Sequence, residues 1–401
     1  MILIHAKKIV TVGEKGTIHD GALIVEGKSI KDIGQYGEMR SKYPTIEEID
    51  NSEYVITPSL IDCHTHLLEY APTSLYPVTP ETHFHAGRIL LFKALASGIT
   101  TLGEQVCGHP MCDFTMMDYR KAVRDLPIDV SFAATSISIG LPELAHFTSV
   151  TGRRKVEKDE LSNLEIIEQI AVNSDYPGEN IFMNATPANF EAKEVPRAGE
   201  LIYTELELKK IVGLYSRLGK RIGAHVAGEE GIQLALDTGI DVIHHAHGIS
   251  DQQIMSASAK GIPIIATPIG GTHLRPNSPE EILKLVKNGI AVSVSTDSYL
   301  PPHHEATWLL TKRTLYGPNH LMEIAQPSMK LLAREGFDEN EILAVLTANP
   351  ASLLGKDRIG RLEIGMDADF LVALGVPGLE IVAPEHIKMV YFKGKRVINR
   401  V

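Results

Sequence analysis

The stretch Ile56–Tyr70, I-T-P-S-L-I-D-C-H-T-H-L-L-E-Y, decides how the chain is read. An apolar run holding Leu60 and Ile61 leads straight into His64 and His66. Residues two apart on a strand project to the same side, so both imidazoles aim at one point. If this strand opens a closed barrel, they stand at its C-terminal end, where such folds build their sites. Imidazoles at i and i+2 begin a Zn²⁺ site without completing one, and the remaining ligands must come from elsewhere in the chain.

Working outward, residues 58–355 alternate between strand and helix patterns. Strands are expected at 59–66, 99–106, 128–137, 180–185, 221–227, 241–245, 263–267 and 290–297. Helical patterns lie between them at 85–97, 161–173, 205–218, 231–237 and 280–287, and Gly98, Gly219, Gly239, Gly261 and Gly289 stand as helix stops before the next strand. Further helices are expected at 304–316, 321–335 and 339–347. Eight strands predict a (β/α)₈ TIM barrel, an α/β fold of ~250 residues before insertions. A doubly wound sheet is the alternative, but no G-x-G-x-x-G follows the first strand. Both chain ends read as short strands, such as M-I-L-I-H-A-K-K-I-V-T-V and M-V-Y-F-K-G-K-R-V-I. Residues 1–57 and 356–401 are therefore expected to build one small β-sandwich beside the barrel, because strands this short need partners.

Composition sets the outer limits. The chain of 401 residues is 44% hydrophobic and 22% charged, as suits a globular enzyme with a large core. Its 39 Lys and Arg against 50 Asp and Glu give a net charge of −11, which repels nucleic acid and anionic membrane surfaces. The first residues lack a signal-peptide pattern, and no apolar run reaches the ~20 residues of a membrane span. Three cysteines do not form a secreted disulfide framework. A cytoplasmic enzyme with a small-molecule substrate is expected, with a homo-oligomer left open.

The ends of the expected strands carry the chemistry. The fifth places His225 at the barrel mouth, the sixth His245 and His247, and the eighth Asp297. Nitrogen ligands with a carboxylate suit Zn²⁺, while Fe²⁺, Mn²⁺ or Ni²⁺ also fit. Glu104, ending the second strand, offers a carboxylate from another direction, toward a second metal or the substrate. His273, His303, His304 and Glu229 lie on loops or a helix start within reach of the mouth, as substrate contacts. Cys107, His109 and Cys112 lack the spacing and the fourth ligand of a structural zinc. His83 and His85 repeat the H-x-H spacing near a helix start, where residues two apart do not share a face.

These motifs, with T-A-N-P-A-S-L-L-G and G-R-L-E-I-G-M-D-A-D-F near the end, resemble the metal-dependent amidohydrolase superfamily. The segment H-V-A-G-E-E-G-I-Q-L-A-L-D-T-G-I-D-V-I-H-H-A-H is most similar to its branch of imidazolonepropionases and Xaa-Pro dipeptidase-like peptidases. That resemblance implies that His64, His66, His225 and Asp297 hold a divalent metal, with His245 on a second metal or the substrate. Two-metal members carry a Lys or Glu at the end of strand four. Here I-F-M-N-A-T-P-A-N-F offers neither, so one ion per chain is expected. The chemistry expected is hydrolysis of a C–N bond in a linear or cyclic amide, peptide-like or imidazolone-like. Asp297 would move the proton of the attacking water, and His245 would donate to the developing oxyanion. A deaminase of a nitrogen heterocycle is the alternative. It is disfavoured because Gly228 stands three residues after His225, where deaminases carry a Glu; imidazolonepropionases carry one there too, so the same departure bears on that branch, and the acids come at Glu229 and Glu230. A non-catalytic assembly protein is a third reading, opposed by retention of all five site residues.

Overall fold

A computed structural model describes residues 1–68, 79–107, 114–136, 150, 156, 158–184, 199–270, 275–311 and 313–401. The chain opens with strands β1 (Ile2–Val10), β2 (Thr17–Glu26), β3 (Ser29–Gln35) and β4 (Glu47–Pro58). Eight strands follow: β5 (Leu60–Thr65), β6 (Ile99–Val106), β7 (Asp129–Ala134), β8 (Ile181–Phe182), β9 (Gly223–Ala227), β10 (Val242–His247), β11 (Ile264–Ala266) and β12 (Val292–Val294). The chain closes with β13 (Phe370–Ala373), β14 (Ile387–Phe392) and β15 (Lys395–Asn399).

The two ends build a single sheet in the order β15-β14-β13-β4-β1-β2-β3. It curls on itself: Ser29, at the start of β3, bridges Asp367, just before β13. Apolar residues of both ends, including Ile4, Leu23, Ile33, Ile56, Phe370 and Tyr391, then share one buried core. Short strands with one apolar face gain their stability from such a shared core.

Each of the eight expected strand positions between the two ends holds a strand, and all pairs among them are parallel. They form one sheet β5-β6-β7 and another β12-β11-β10-β9-β8. Gly98, Gly219, Gly239, Gly261 and Gly289 all have φ between 64° and 88°, the left-handed turn that ends a helix at little cost only without a Cβ. The two sheets meet at both edges. At one, Thr65 bridges Asp297, and the Thr296 hydroxyl donates to Asp62 at 2.6 Å. At the other, Asn180 Nδ2 donates to the carbonyl of Ala134 at 3.1 Å, and its Oδ1 accepts from Gly223 N at 3.0 Å. Ile61, Cys63, Ala133, Val242 and Ile265, from strands of both sheets, pack with Leu353, Leu354 and Ile359 in one buried cluster.

The helix expected at 304–316 is absent among the described residues, and the next helix is Leu321–Arg334. Pro301 and Pro302 disfavour a helix at the start of this segment, and pairing of Leu300 with Tyr316 closes it into a loop.

Asp369 lies where the sheet of the two ends meets the eight strands. Its carbonyl accepts from Ser59 N at 3.1 Å and Oδ1 from Lys393 N, while Oδ2 is buried without a hydrogen bond. Burial pushes its carboxyl up to about 7, reinforced by Asp129 and Asp367 and opposed by the Lys393 amide. A folded pKa above the unfolded value means that stability is present at low pH and falls as pH rises from ~4 through ~7. Asp369→Asn is therefore expected to leave stability at pH 4 nearly unchanged and to raise it at pH 8 by about 3–4 kcal/mol. Thermal unfolding at both pH values checks this. Equal destabilisation at both would show that the carboxylate is needed ionised.

Candidate metal centre

The centre is organised by Glu179, which stands two residues before β8 in Y-P-G-E-N. Its amide donates to Gln105 Oε1 at 2.9 Å, and Gln105 Nε2 donates to the Tyr176 hydroxyl at 2.7 Å. Close backbone approach brings it inward. A Cβ on Gly223 would lie 2.0 Å from the Gly178 carbonyl oxygen, and one on Gly178 would lie 2.4 Å from Gln105 Oε1. No side chain fits at either position, so both glycines are required here.

Each carboxylate oxygen of Glu179 faces two imidazoles. Oε1 lies 2.6 Å from His225 Nδ1 and 2.8 Å from His245 Nε2. Oε2 lies 3.3 Å from His66 Nε2 and 3.5 Å from His64 Nε2. Asp297 Oδ1 approaches the same two nitrogens, at 3.2 Å from His64 Nε2 and 3.6 Å from His66 Nε2. Four imidazoles and two carboxylates thus meet in a buried space, with His66 the most exposed of the six. His64 arrives on β5 and His66 just past it, His225 on β9, His245 on β10 and Asp297 just past β12.

Three residues at the centre take left-handed backbone. His245, Ala246 and Asp297 have φ of 70°, 51° and 66°, and the register of β10 against β9 slips between His245 and His247. Such residues cost of order 1–3 kcal/mol each and persist only where the surroundings hold them. For Asp297 the hold is visible: its carbonyl accepts from His66 N at 2.8 Å, and the Ser298 hydroxyl donates to the His66 carbonyl at 2.8 Å.

The carboxylates call for positive charge. Burial works against a charge on His64, yet Glu179 and Asp297 outweigh it and push this imidazole up to about 10. Burial would raise both acids, but His64 and His225 hold Glu179 well below the carboxylate range, and His64 with His245 and His66 hold Asp297 at about 2. Burial, with His225 alongside, holds His245 down at about 4. Glu179 and Asp297 likewise outweigh burial and push His66 up, and divalent cations displace protons from such nitrogens when they bind. The donor set fits cations: candidate ligand atoms lie within 4.8 Å of one another in His64, His66 and Glu179, in His64, His245 and Asp297, and in Glu179, His225 and His245. His64 Nε2 is buried without a well-aligned hydrogen bond, as suits a nitrogen that offers its lone pair to a metal.

The structure thus brings together His64, His66, His225, His245 and Asp297, and adds Glu179, which the sequence reading missed. Glu179 brings its carboxylate from two residues before β8 and not from that strand's end, a route to the centre that the sequence reading did not consider. His245 has both nitrogens engaged, Nε2 by Glu179 and Nδ1 by the Thr267 hydroxyl at 2.8 Å, so it faces the cluster rather than an oxyanion. Thr267 Oγ1 also lies 3.2 Å from His247 Nε2, placing His247 behind His245.

Glu104 is buried but outside the cluster. One of its oxygens accepts from the Leu67 and Leu68 amides, both at 2.7 Å, and the other from Thr65 Oγ1 at 2.7 Å, so it shapes the chain just after His66. Burial pushes it up to about 7. Glu229 is exposed at the start of a helix (Glu229–Thr238). His303 accepts from Glu305 N at 3.2 Å, and His304 is exposed. His273, His109 and Cys112 lie outside the described residues. His83 donates to the Leu68 carbonyl at 3.1 Å, and Cys107 Sγ lies 3.7 Å from His66 Nδ1.

Known proteins resemble this chain over most of its length. The amidohydrolase family model matches residues 55–397. An imidazolonepropionase of Stenotrophomonas maltophilia is 26% identical over 396 residues, covering 89% of this chain and 86% of the relative. A 5-methylthioadenosine/S-adenosylhomocysteine deaminase of Pelotomaculum thermopropionicum is 23% identical over 407 residues, covering 92% of this chain and 84% of the relative. The crystal structure of a Xaa-Pro dipeptidase with bound methionine shares the fold, with a TM-score of 0.72 at 16% identity over 98% of this chain and 99% of that one. With the family model spanning most of its length, the chain belongs to the amidohydrolase family, and it is a hydrolase acting on carbon–nitrogen bonds.

Proposed function

We propose that the chain hydrolyses an amide bond, linear or cyclic, in a small peptide-like or imidazolone-like molecule, at a centre whose histidines and carboxylates would hold two Zn²⁺ ions. The observation that carries this reading is the carboxylate of Glu179, one oxygen against His64 and His66 and the other against His225 and His245. His64, His66 and Asp297 would hold one ion and His225 and His245 the other, with Glu179 shared. When bound, the ions supply Lewis acidity that polarises the scissile carbonyl and acidifies water.

The remaining work belongs to the protein. Asp297, ionised and fixed by its backbone contact to His66, takes the proton of the attacking water and passes it to the departing nitrogen. Gln105 and the glycines beside Glu179 hold the shared carboxylate in place, and the buried surroundings strengthen every charge interaction at the site. In this reading residues 58–355 form one (β/α)₈ barrel, supported by the contacts at both sheet edges, and residues 1–57 with 356–401 form the composite β unit. No described helix is long and apolar enough to cross a membrane.

Similarity to a deaminase favours a second reading, release of ammonia from a heterocycle. Gly228 opposes it: this residue caps a helix and donates its amide to the His247 carbonyl, with no acid at that position. A screen separates the two. Zinc-loaded protein is offered dipeptides, N-acyl amino acids, lactams and aminopurines, with products read by mass and by ammonia detection. The expected result is an amide substrate that gains one water without releasing ammonia. Ammonia from an aminopurine, with no amide cleaved, would overturn the amide reading.

A further inference from the structure

His244 is a fully buried histidine that takes no place among the cluster's candidate ligands. It stands one residue before His245 on β10, and the bulge at His245 and Ala246 accompanies the inward contacts made by both. Its Nδ1 lies 2.9 Å from His64 Nδ1, and its Nε2 lies 3.2 Å from the Pro177 carbonyl oxygen.

A carbonyl oxygen only accepts, so His244 Nε2 carries the hydrogen and the Nδ1 of the neutral ring is an acceptor. His64 Nδ1 must then be the donor. In a neutral His64 that choice leaves the lone pair on Nε2, the nitrogen that faces Asp297 and Glu179. Ligand imidazoles are usually held this way by a carboxylate or a carbonyl on the far nitrogen. A neutral imidazole does the same work without adding a third negative charge beside Glu179 and Asp297.

We infer that His244 is a positioning residue that fixes the tautomer and ring orientation of His64, so that His64 Nε2 is presented to a divalent cation. This rests on the two-ion reading of the centre. The chain of contacts runs from the Pro177 carbonyl through His244 to His64, and Pro177 lies two residues before Glu179. The backbone that delivers the shared carboxylate therefore also anchors a ligand on the opposite strand.

The test is zinc affinity, measured by chelator competition on zinc-loaded full-length protein, for wild type, His244→Phe and His244→Gln. Phe keeps the ring volume but removes the acceptor. Its affinity at the tighter-responding site is expected to fall about 10–100-fold, the usual loss for an outer partner of a ligand histidine. Gln offers an acceptor oxygen to His64 and a donor to Pro177, and is expected to stay close to wild type. Wild-type affinity in His244→Phe overturns the inference, as does a loss in His244→Gln as large as in His244→Phe, which would indicate packing alone. If His244→Phe is not recovered folded, His244→Leu supplies the acceptor-free comparison and is read the same way. A wild type that binds fewer than two zinc ions overturns the two-ion reading itself, which separates the two failures.

Discussion

Replacing Glu179 by Gln is expected to remove both the shared ion ligand and most of the activity. Gln has nearly the same shape but puts an amide group where one of the two oxygens now stands, so one imidazole pair faces N–H donors instead of an acceptor. Of the two ions, at least one should be lost on desalting, and turnover of the best amide from the screen should fall on the order of 10³-fold. Gln105, the glycines and the fold around them are untouched, so the variant should remain folded. Elemental analysis and turnover on the same sample check this. A variant that keeps wild-type metal content and near-normal rate would reduce Glu179 to a buried hydrogen-bond partner of histidines.

Asp297→Asn is the second large effect, and it separates proton transfer from metal binding. Asn tolerates the left-handed backbone that Asp297 adopts at φ 66°, so the substitution adds little strain. It can still offer a carbonyl oxygen to a cation, but it cannot take up and return the proton of the attacking water. Metal content and thermal stability are expected to stay near wild type while kcat falls by roughly 10²–10⁴-fold. A variant with metal in place and near-normal kcat would move the proton to another group.

Five of the six residues of the centre were legible because each ends an apolar run that reads as a barrel strand: His64, His66, His225, His245 and Asp297. Period two told which residues share a side, and the eight strands told where the ends converge. Glu179 broke that rule. It precedes β8, a strand of two residues, in a Pro-Gly segment that reads as a connection, and only the approach of Gly178 and Gly223 turns it inward. Glu104 failed in the opposite way. Its strand-end position was read correctly, but its oxygens are taken by Thr65, Leu67 and Leu68, contacts that a single sequence does not announce. The two groups of short end strands were legible as needing partners, and they pair into one curled sheet where a sandwich was expected. The 304–316 segment was not, because long-range pairing of Leu300 with Tyr316 overrides its local helical pattern.

The claim on which the rest depends is that Glu179 joins two cation positions. The most direct measurement is zinc per chain by elemental analysis, on full-length protein loaded with excess zinc and then desalted, with protein concentration determined independently. Two zinc ions per chain are predicted. A value that stays at one would contradict the shared role of Glu179 and return the centre to a single ion.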